Sequence, residues 1–192
     1  MRRRMILMVV AMFAVLAVAG GVALAATIDG NNRDNTLRGT NGPDQISGRG
    51  GDDVLLGRRG SDAMDGGAGR DAVLGGNEFG PLSGDKTLDG GKGGDFVGGA
   101  YGSDSLAGGG DKDYLTLGPI DDFAQDVASG GGGNDAIFAR NNHADKDIVD
   151  CGKGFDRALV DSKDITSRCE REYTRPSRFF RAISPHYFDP LP

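Results

Sequence analysis

Apolar residues recur along this chain at intervals of nine. They fall at Leu37, Ile46, Leu55, Met64 and Val73, then after an irregular stretch at Leu88, Val97, Leu106, Leu115 and Ile137. Two residues before each stands a polar side chain: Asn35, Asp44, Asp53, Asp62 and Asp71, then Lys86, Asp95, Asp104, Asp113 and Asp135. Glycine fills the fourth place at Gly42, Gly51, Gly60, Gly69, Gly93, Gly102 and Gly133, with Arg33 and Asp111 as departures. It also opens the units from Gly30 to Gly66 and from Gly90 to Gly108, and again at Gly130. One such match carries little, since Gly and Asp are common loop residues, but a run of them held in phase signals a solenoid.

The pattern predicts a turn of about six residues followed by a very short strand. Glycines tolerate the left-handed conformations of tight turns, and the three remaining residues place one side chain inward and two outward. Two units complete one coil, and successive coils stack at about 4.8 Å. Stacking brings the Asp of one unit beside the Asp two units on, as in Asp44 with Asp62, Asp53 with Asp71, and Asp95 with Asp113. Carboxylates this close repel unless a cation sits among them. The turns offer carboxylate and peptide oxygens, the ligands of a hard dication such as Ca²⁺.

In these residues the chain resembles the RTX (repeats-in-toxin, hemolysin-type) calcium-binding repeat family, whose unit is G-G-x-G-x-D-x-U-x, with U apolar. The resemblance covers Gly30 to Thr116 and again Gly130 to Phe138. It implies an all-β parallel β-roll with Ca²⁺ held in the turns. The ligands it implies are the carboxylates of Asp44, Asp53, Asp62, Asp71, Asp95, Asp104, Asp113 and Asp135, with the turn backbone at Gly42, Gly51, Gly60, Gly69, Gly93, Gly102 and Gly133. Lys86 would bring a cation to a metal position, and Asn35 offers only a neutral oxygen, so the expected blocks are Asp44 to Asp71 and Asp95 to Asp113.

Composition agrees with a thin solenoid. The 192 residues include 34 glycines and no Trp, which leaves little for an ordinary large core. Folding is therefore expected to depend on calcium. The formal net charge is −6 with no basic face, which gives nucleic acid no purchase.

Residues 1–25 read as a secretory signal peptide. Arg2, Arg3 and Arg4 precede an apolar run from Met5 to Ala19, and Ala23-Leu24-Ala25 supplies a small-residue cleavage site. The alternative is an uncleaved anchor, since Met5 to Ala26 is about long enough to span a membrane. With cleavage no membrane span remains, and the protein is secreted, extracellular or held at the cell surface.

The roll is expected over 26–138, with insertions near 76–85 and 117–129 that form surface loops or partner-binding elements. Over 139–170 the repeat decays into a capping unit, Cys151-Gly152-Lys153-Gly154-Phe155-Asp156. Cys151 and Cys169 are the only cysteines, and in an exported protein their simplest fate is a disulfide closing the last coil. A redox pair or a bridge between molecules are the alternatives. The tail, 171–192, interleaves Arg171, Arg175, Arg178 and Arg181 with Tyr173, Phe179, Phe180, Tyr187 and Phe188. It reads either as a cover for the open end of the roll or as a basic, aromatic patch for an anionic polymer.

Nothing in the sequence suggests catalysis. His143 and His186 stand alone, there is no His-Glu-x-x-His or Gly-x-Ser-x-Gly motif, and the repeat already accounts for the paired carboxylates. The expectation is a secreted calcium-binding structural or adhesive protein and not an enzyme. The alternative is a calcium-loaded module presenting loops or tail to a carbohydrate or protein partner.

Overall fold

The computed structural model describes residues 24–76, 84, 87–119, 123–141 and 146–174. The signal segment almost entirely, Lys86, His143, His186, most of the first insertion and the tail beyond Thr174 lie outside the described residues.

Short strands separated by glycine turns wind into two parallel sheets. The first contains β1 (Thr27–Asp29), β3 (Gln45–Ser47), β5 (Ala63–Ala68), β7 (Thr87–Lys92), β9 (Ser105–Gly110), β11 (Val127–Gly133), β13 (Ile148–Asp150) and β16 (Ile165–Ser167). The second contains β2 (Thr36–Arg38), β4 (Val54–Leu56), β6 (Ala72–Gly76), β8 (Phe96–Ala100), β10 (Tyr114–Thr116), β12 (Ala136–Phe138), β15 (Arg157–Leu159) and β17 (Arg171–Tyr173). A two-residue strand, β14 (Lys153–Gly154), pairs with the far end of β11. Apart from β14, consecutive strands alternate between the sheets, so each neighbour within a sheet lies one full coil away. The described residues contain no helix, and the fold is an all-β parallel solenoid.

Register follows the apolar period. Ile46 pairs with Met64 and Leu55 with Val73, and further along Leu115 pairs with Val97 and Ile137. Every second side chain of a strand points to the same face, so these residues form one file between the sheets. Ile46, Met64, Leu88, Leu106, Ala128 and Val149 meet Leu55, Val73, Val97, Leu115, Ile137 and Ala158, all buried. The core is one layer thick. Two aliphatic side chains per coil offset only part of the entropy of ordering so many glycines.

Beyond Phe138 the winding continues to Tyr173 with altered residues in the same places. Leu117, Ala139, Cys151 and Val160 stand where earlier units begin with glycine, and all four are buried in the central cluster. The second irregular stretch is shorter than the spacing suggests: Asp126 and Ala128 already occupy the sixth and eighth places of a regular unit, and β11 begins at Val127. Cys151 and Cys169 are joined in a disulfide near the C-terminal end. It ties the strand pair β13 and β16 to the turn before β17.

Candidate metal centre

Each described sixth-position side chain lies at the mouth of a strand, where the turn closes beneath the coil above. Along the edge leading into the second sheet, one carboxylate oxygen of each coil accepts the backbone N–H of the equivalent residue one coil earlier. Asn35 donates to Asp53 Oδ1 at 2.7 Å, Asp53 to Asp71 at 2.7 Å, Asp71 to Asp95 at 2.8 Å and Asp95 to Asp113 at 2.8 Å. The series runs on from Asp113 to Asp135 at 2.9 Å, Asp135 to Asp156 at 2.7 Å, and Asp156 to Glu170 Oε2 at 2.8 Å. The acidic ladder thus spans this whole edge.

The opposite edge carries a second ladder. Ala26 donates to Asp44 Oδ1 at 2.7 Å and Asp44 to Asp62 Oδ1 at 2.8 Å. Beyond the Lys86 position, Asp104 donates to Asp126 at 2.8 Å, Asp126 to Asp147 at 2.9 Å and Asp147 to Asp164 at 3.2 Å. A change of sequence spacing leaves the connection intact. Partners lie 24 residues apart at Asp71 and Asp95, 22 at Asp104 and Asp126, and 17 at Asp147 and Asp164.

The other carboxylate oxygen is the chemically open one. In Asp53, Asp71, Asp95, Asp113, Asp135 and Asp156, Oδ2 is buried and accepts no hydrogen bond. An uncompensated buried oxygen of this kind costs about 1–3 kcal/mol, and more when charged, so six in one file call for a cation. Two unit charges at coil spacing and an effective dielectric of about 20 repel by about 3 kcal/mol. The protonation behaviour records the same strain. Burial pushes Asp113 up to about 8 and Asp62, Asp71 and Asp135 up to about 6, against the downward pull of the backbone N–H each accepts. Neighbouring ladder carboxylates add to the rise.

Glycine at the first place of the unit serves this oxygen. A Cβ on Gly66, Gly90, Gly108 or Gly130 would fall within 2.7 Å of the Oδ2 of Asp71, Asp95, Asp113 or Asp135, respectively. None of these four glycines has positive φ, so close approach and not turn conformation requires the missing side chain. The fourth-place glycines are different: Gly51, Gly60, Gly69, Gly93, Gly102 and Gly133 all have φ between 103° and 142°. Gly42 does not share that conformation. Asp111 holds φ at 75° in a place where the repeat has glycine.

The predicted carboxylates are not equivalent. Both oxygens of Asp44 are engaged, Oδ1 by Ala26 and Oδ2 by the N–H of Thr40 at 2.6 Å. Asp53, Asp71, Asp95, Asp113 and Asp135 form the continuous file, while Asp62 and Asp104 belong to the opposite edge. No group of three or more His, Cys, Asp or Glu side chains converges among the described residues. A hard dication here would draw on single carboxylates of successive coils and on turn carbonyl oxygens, a donor set of the kind calcium takes and zinc does not.

The ladders also include acids that repeat spacing did not assign as ligands: Asp126, Asp147, Asp156, Asp164 and Glu170. Their signal in the sequence is an acid two places before an inward residue, as in Asp126-Val127-Ala128 and Asp147-Ile148-Val149. Asp147 departs from the others, because the Asn141 side chain reaches its Oδ2 at 3.4 Å.

A family model described as the RTX calcium-binding nonapeptide repeat (4 copies) matches residues 29–64, 48–78 and 121–142. No curated protein and no solved structure matches the chain. Residues 90–116 lie outside the matched segments yet carry the same ladder through Asp95 and Asp113. Over those matched segments the chain is similar to the RTX calcium-binding nonapeptide repeat, and its described residues wind into a two-sheet parallel solenoid.

Proposed function

We propose that this chain is an exported structural protein whose coils are completed by calcium, and that it works outside the cell as a rigid spacer or adhesive surface. The observation that carries the reading is the file of buried, unpartnered Oδ2 atoms from Asp53 to Asp156. Calcium bound there neutralises the file and supplies the cross-coil attraction that a one-layer core lacks. Asp53, Asp71, Asp95, Asp113 and Asp135 would hold it on one edge and Asp62 and Asp104 on the other, with carbonyl oxygens of the glycine turns completing the shell. Asp44, already saturated by two N–H groups, would hold it least well.

Export is supported by two independent features, the basic and apolar segment before Ala25 and a disulfide of the kind that persists in oxidising compartments. Extracellular calcium modules have dissociation constants of about 10⁻⁴ to 10⁻³ M, so sites of modest affinity stay filled there and empty inside the cell. The chain would remain extended until it emerges.

The test is circular dichroism of the mature chain in EDTA and in millimolar calcium, with mass spectrometry of the N-terminus after expression in a secreting host. A strand signal that appears only with calcium, on a chain cut near Ala25, is the expected result. Identical spectra in the two conditions would sink the calcium-driven reading, and an intact leader would sink the cleaved one.

A further inference from the structure

The edge bearing the long ladder changes character along its length. Residues one place before each ladder carboxylate stack in a column of their own. Near the start that column is acidic: Asp34 Oδ1 accepts the N–H of Asp52, and Asp52 Oδ1 that of Arg70, both at 2.9 Å. Farther on the same column reads Lys112, Asn134 and Phe155. Asn134 Oδ1 accepts the Phe155 N–H at 2.8 Å and fixes where that ring leaves the turn.

The Phe155 ring stays 44% exposed, with the guanidinium groups of Arg171 and Arg157 at 5.1 and 5.9 Å from its centre. Beside it lies a cleft of about 210 Å³ lined by Lys112, Asn134, Asp135, Phe155 and Arg157. Asp135 closes it with a carboxyl that is 2% exposed and whose Oδ2 has no partner. A pocket walled by two cations and an aromatic ring is out of place on a chain of net charge −6.

We infer that this cleft holds one carboxylated sugar unit of an acidic polysaccharide. The part of Phe155 left open beside the Arg171 and Arg157 guanidinium groups offers apolar ring surface to the C–H groups of a sugar. Lys112 and Arg157 supply the charge for the sugar carboxylate, Arg157 through a planar fork suited to two oxygens. The Asn134 amide also lines the cleft and can hydrogen-bond a ring hydroxyl, and the cleft is on the scale of a single six-membered sugar. The inference rests on the calcium reading, because a metal on the ladder turns the back wall at Asp135 from anionic to cationic. It also locates binding on the coil turns that carry Lys112, Asn134 and Phe155.

The test titrates the calcium-saturated full chain with tetragalacturonate, neutral tetragalactose and hexaglutamate, followed by calorimetry and amide chemical shifts. Tetragalacturonate is expected to bind and to shift Asn134, Phe155 and Arg157. Phe155→Ala and Lys112→Gln should each weaken it about tenfold, the scale of one aromatic or charged contact. Binding that both variants leave unchanged, equal binding of tetragalactose, equal or tighter binding of hexaglutamate, or no binding at all would overturn the assignment. Calcium-dependent circular dichroism on the same samples keeps the two readings apart. An intact signal without sugar binding overturns the cleft alone, and a missing signal overturns the metal reading and this one together.

Discussion

Asp113 takes the backbone N–H of Asp95 on Oδ1 at 2.8 Å and keeps Oδ2 buried with no partner. The two oxygens of one side chain therefore do different work, one joining coils and the other facing a metal position. Substitution can separate them. Asp113→Asn retains an acceptor for Asp95 but puts an amide where the open oxygen stood, so it should lower calcium stoichiometry by at least one and spare the cross-coil bond. Asp113→Ala removes both and should cost about 1–3 kcal/mol more, the price of an orphaned N–H. Calorimetric titration and melting in calcium distinguish the pair, and equal effects of the two variants would contradict the division of labour.

Acidity should act in opposite directions with and without metal. The folded carboxyls of Asp62, Asp71 and Asp135 titrate at about 6 and that of Asp113 at about 8, all above the value of 3.8 for a free carboxyl. Between about pH 4 and these raised values the folded state holds more protons than the unfolded chain, so the metal-free fold loses stability as pH rises and regains it as pH falls. Calcium needs the ionised form. Its binding at pH 7 should expel protons, Asp113 contributing most, and its apparent affinity should fall as pH drops from 8 to 6. Calcium titrations in two buffers of different ionisation enthalpy measure the release, which must be clearly above zero.

Two glycines make a controlled comparison. A Cβ at Gly48 would collide with Asp53 Oδ2 and with the Gly66 carbonyl oxygen, whereas at Gly132 it would meet nothing within 4 Å. Neither glycine has a positive φ. Gly48→Ala is expected to destabilise the calcium-loaded protein by about 1–3 kcal/mol, as overpacking does, and Gly132→Ala to stay within about 0.5 kcal/mol. Chemical denaturation in saturating calcium reads both.

These contrasts mark how far the fold could be read from the chain. The period of Ile46, Leu55, Met64 and Val73 named the inward file because a nine-residue unit allows only one such residue per strand. The coils after Thr116 were harder to see. Leu117, Ala139 and Val160 replace the opening glycine and are buried, so an apolar residue stands where the repeat has none and breaks the visible phase. Asp126 and Asp147 keep their places because stacking is set by hydrogen bonds between coils and not by the number of residues looped out between them. The first-place glycine shows another limit: its requirement arises from the carboxylate of the same unit, a contact that conformational preference alone does not reveal.

The disulfide invites its own experiment. Cys151 and Cys169, 18 residues apart, close a loop that the chain-entropy account credits with about 3 kcal/mol. Cys169 is partly accessible whereas Cys151 is buried in the core cluster. Reduction, or the double change of Cys151→Ala with Cys169→Ala, should expose the amides of β13, β15, β16 and β17 to hydrogen exchange while β4, β6 and β8 stay protected in calcium. Uniform loss of protection along the whole solenoid would show that the coils melt as one unit.

Along the long ladder the residues per coil run 18, 24, 18, 22, 21 and 14 from Asp53 to Glu170. The strands of that sheet nevertheless stay paired in register from β2 to β17. Extra residues therefore leave the stack sideways through its turns, and a deletion shortens a turn without shifting the coil above it. A solenoid closed in this way can gain or lose turn residues and keep both of its sheets.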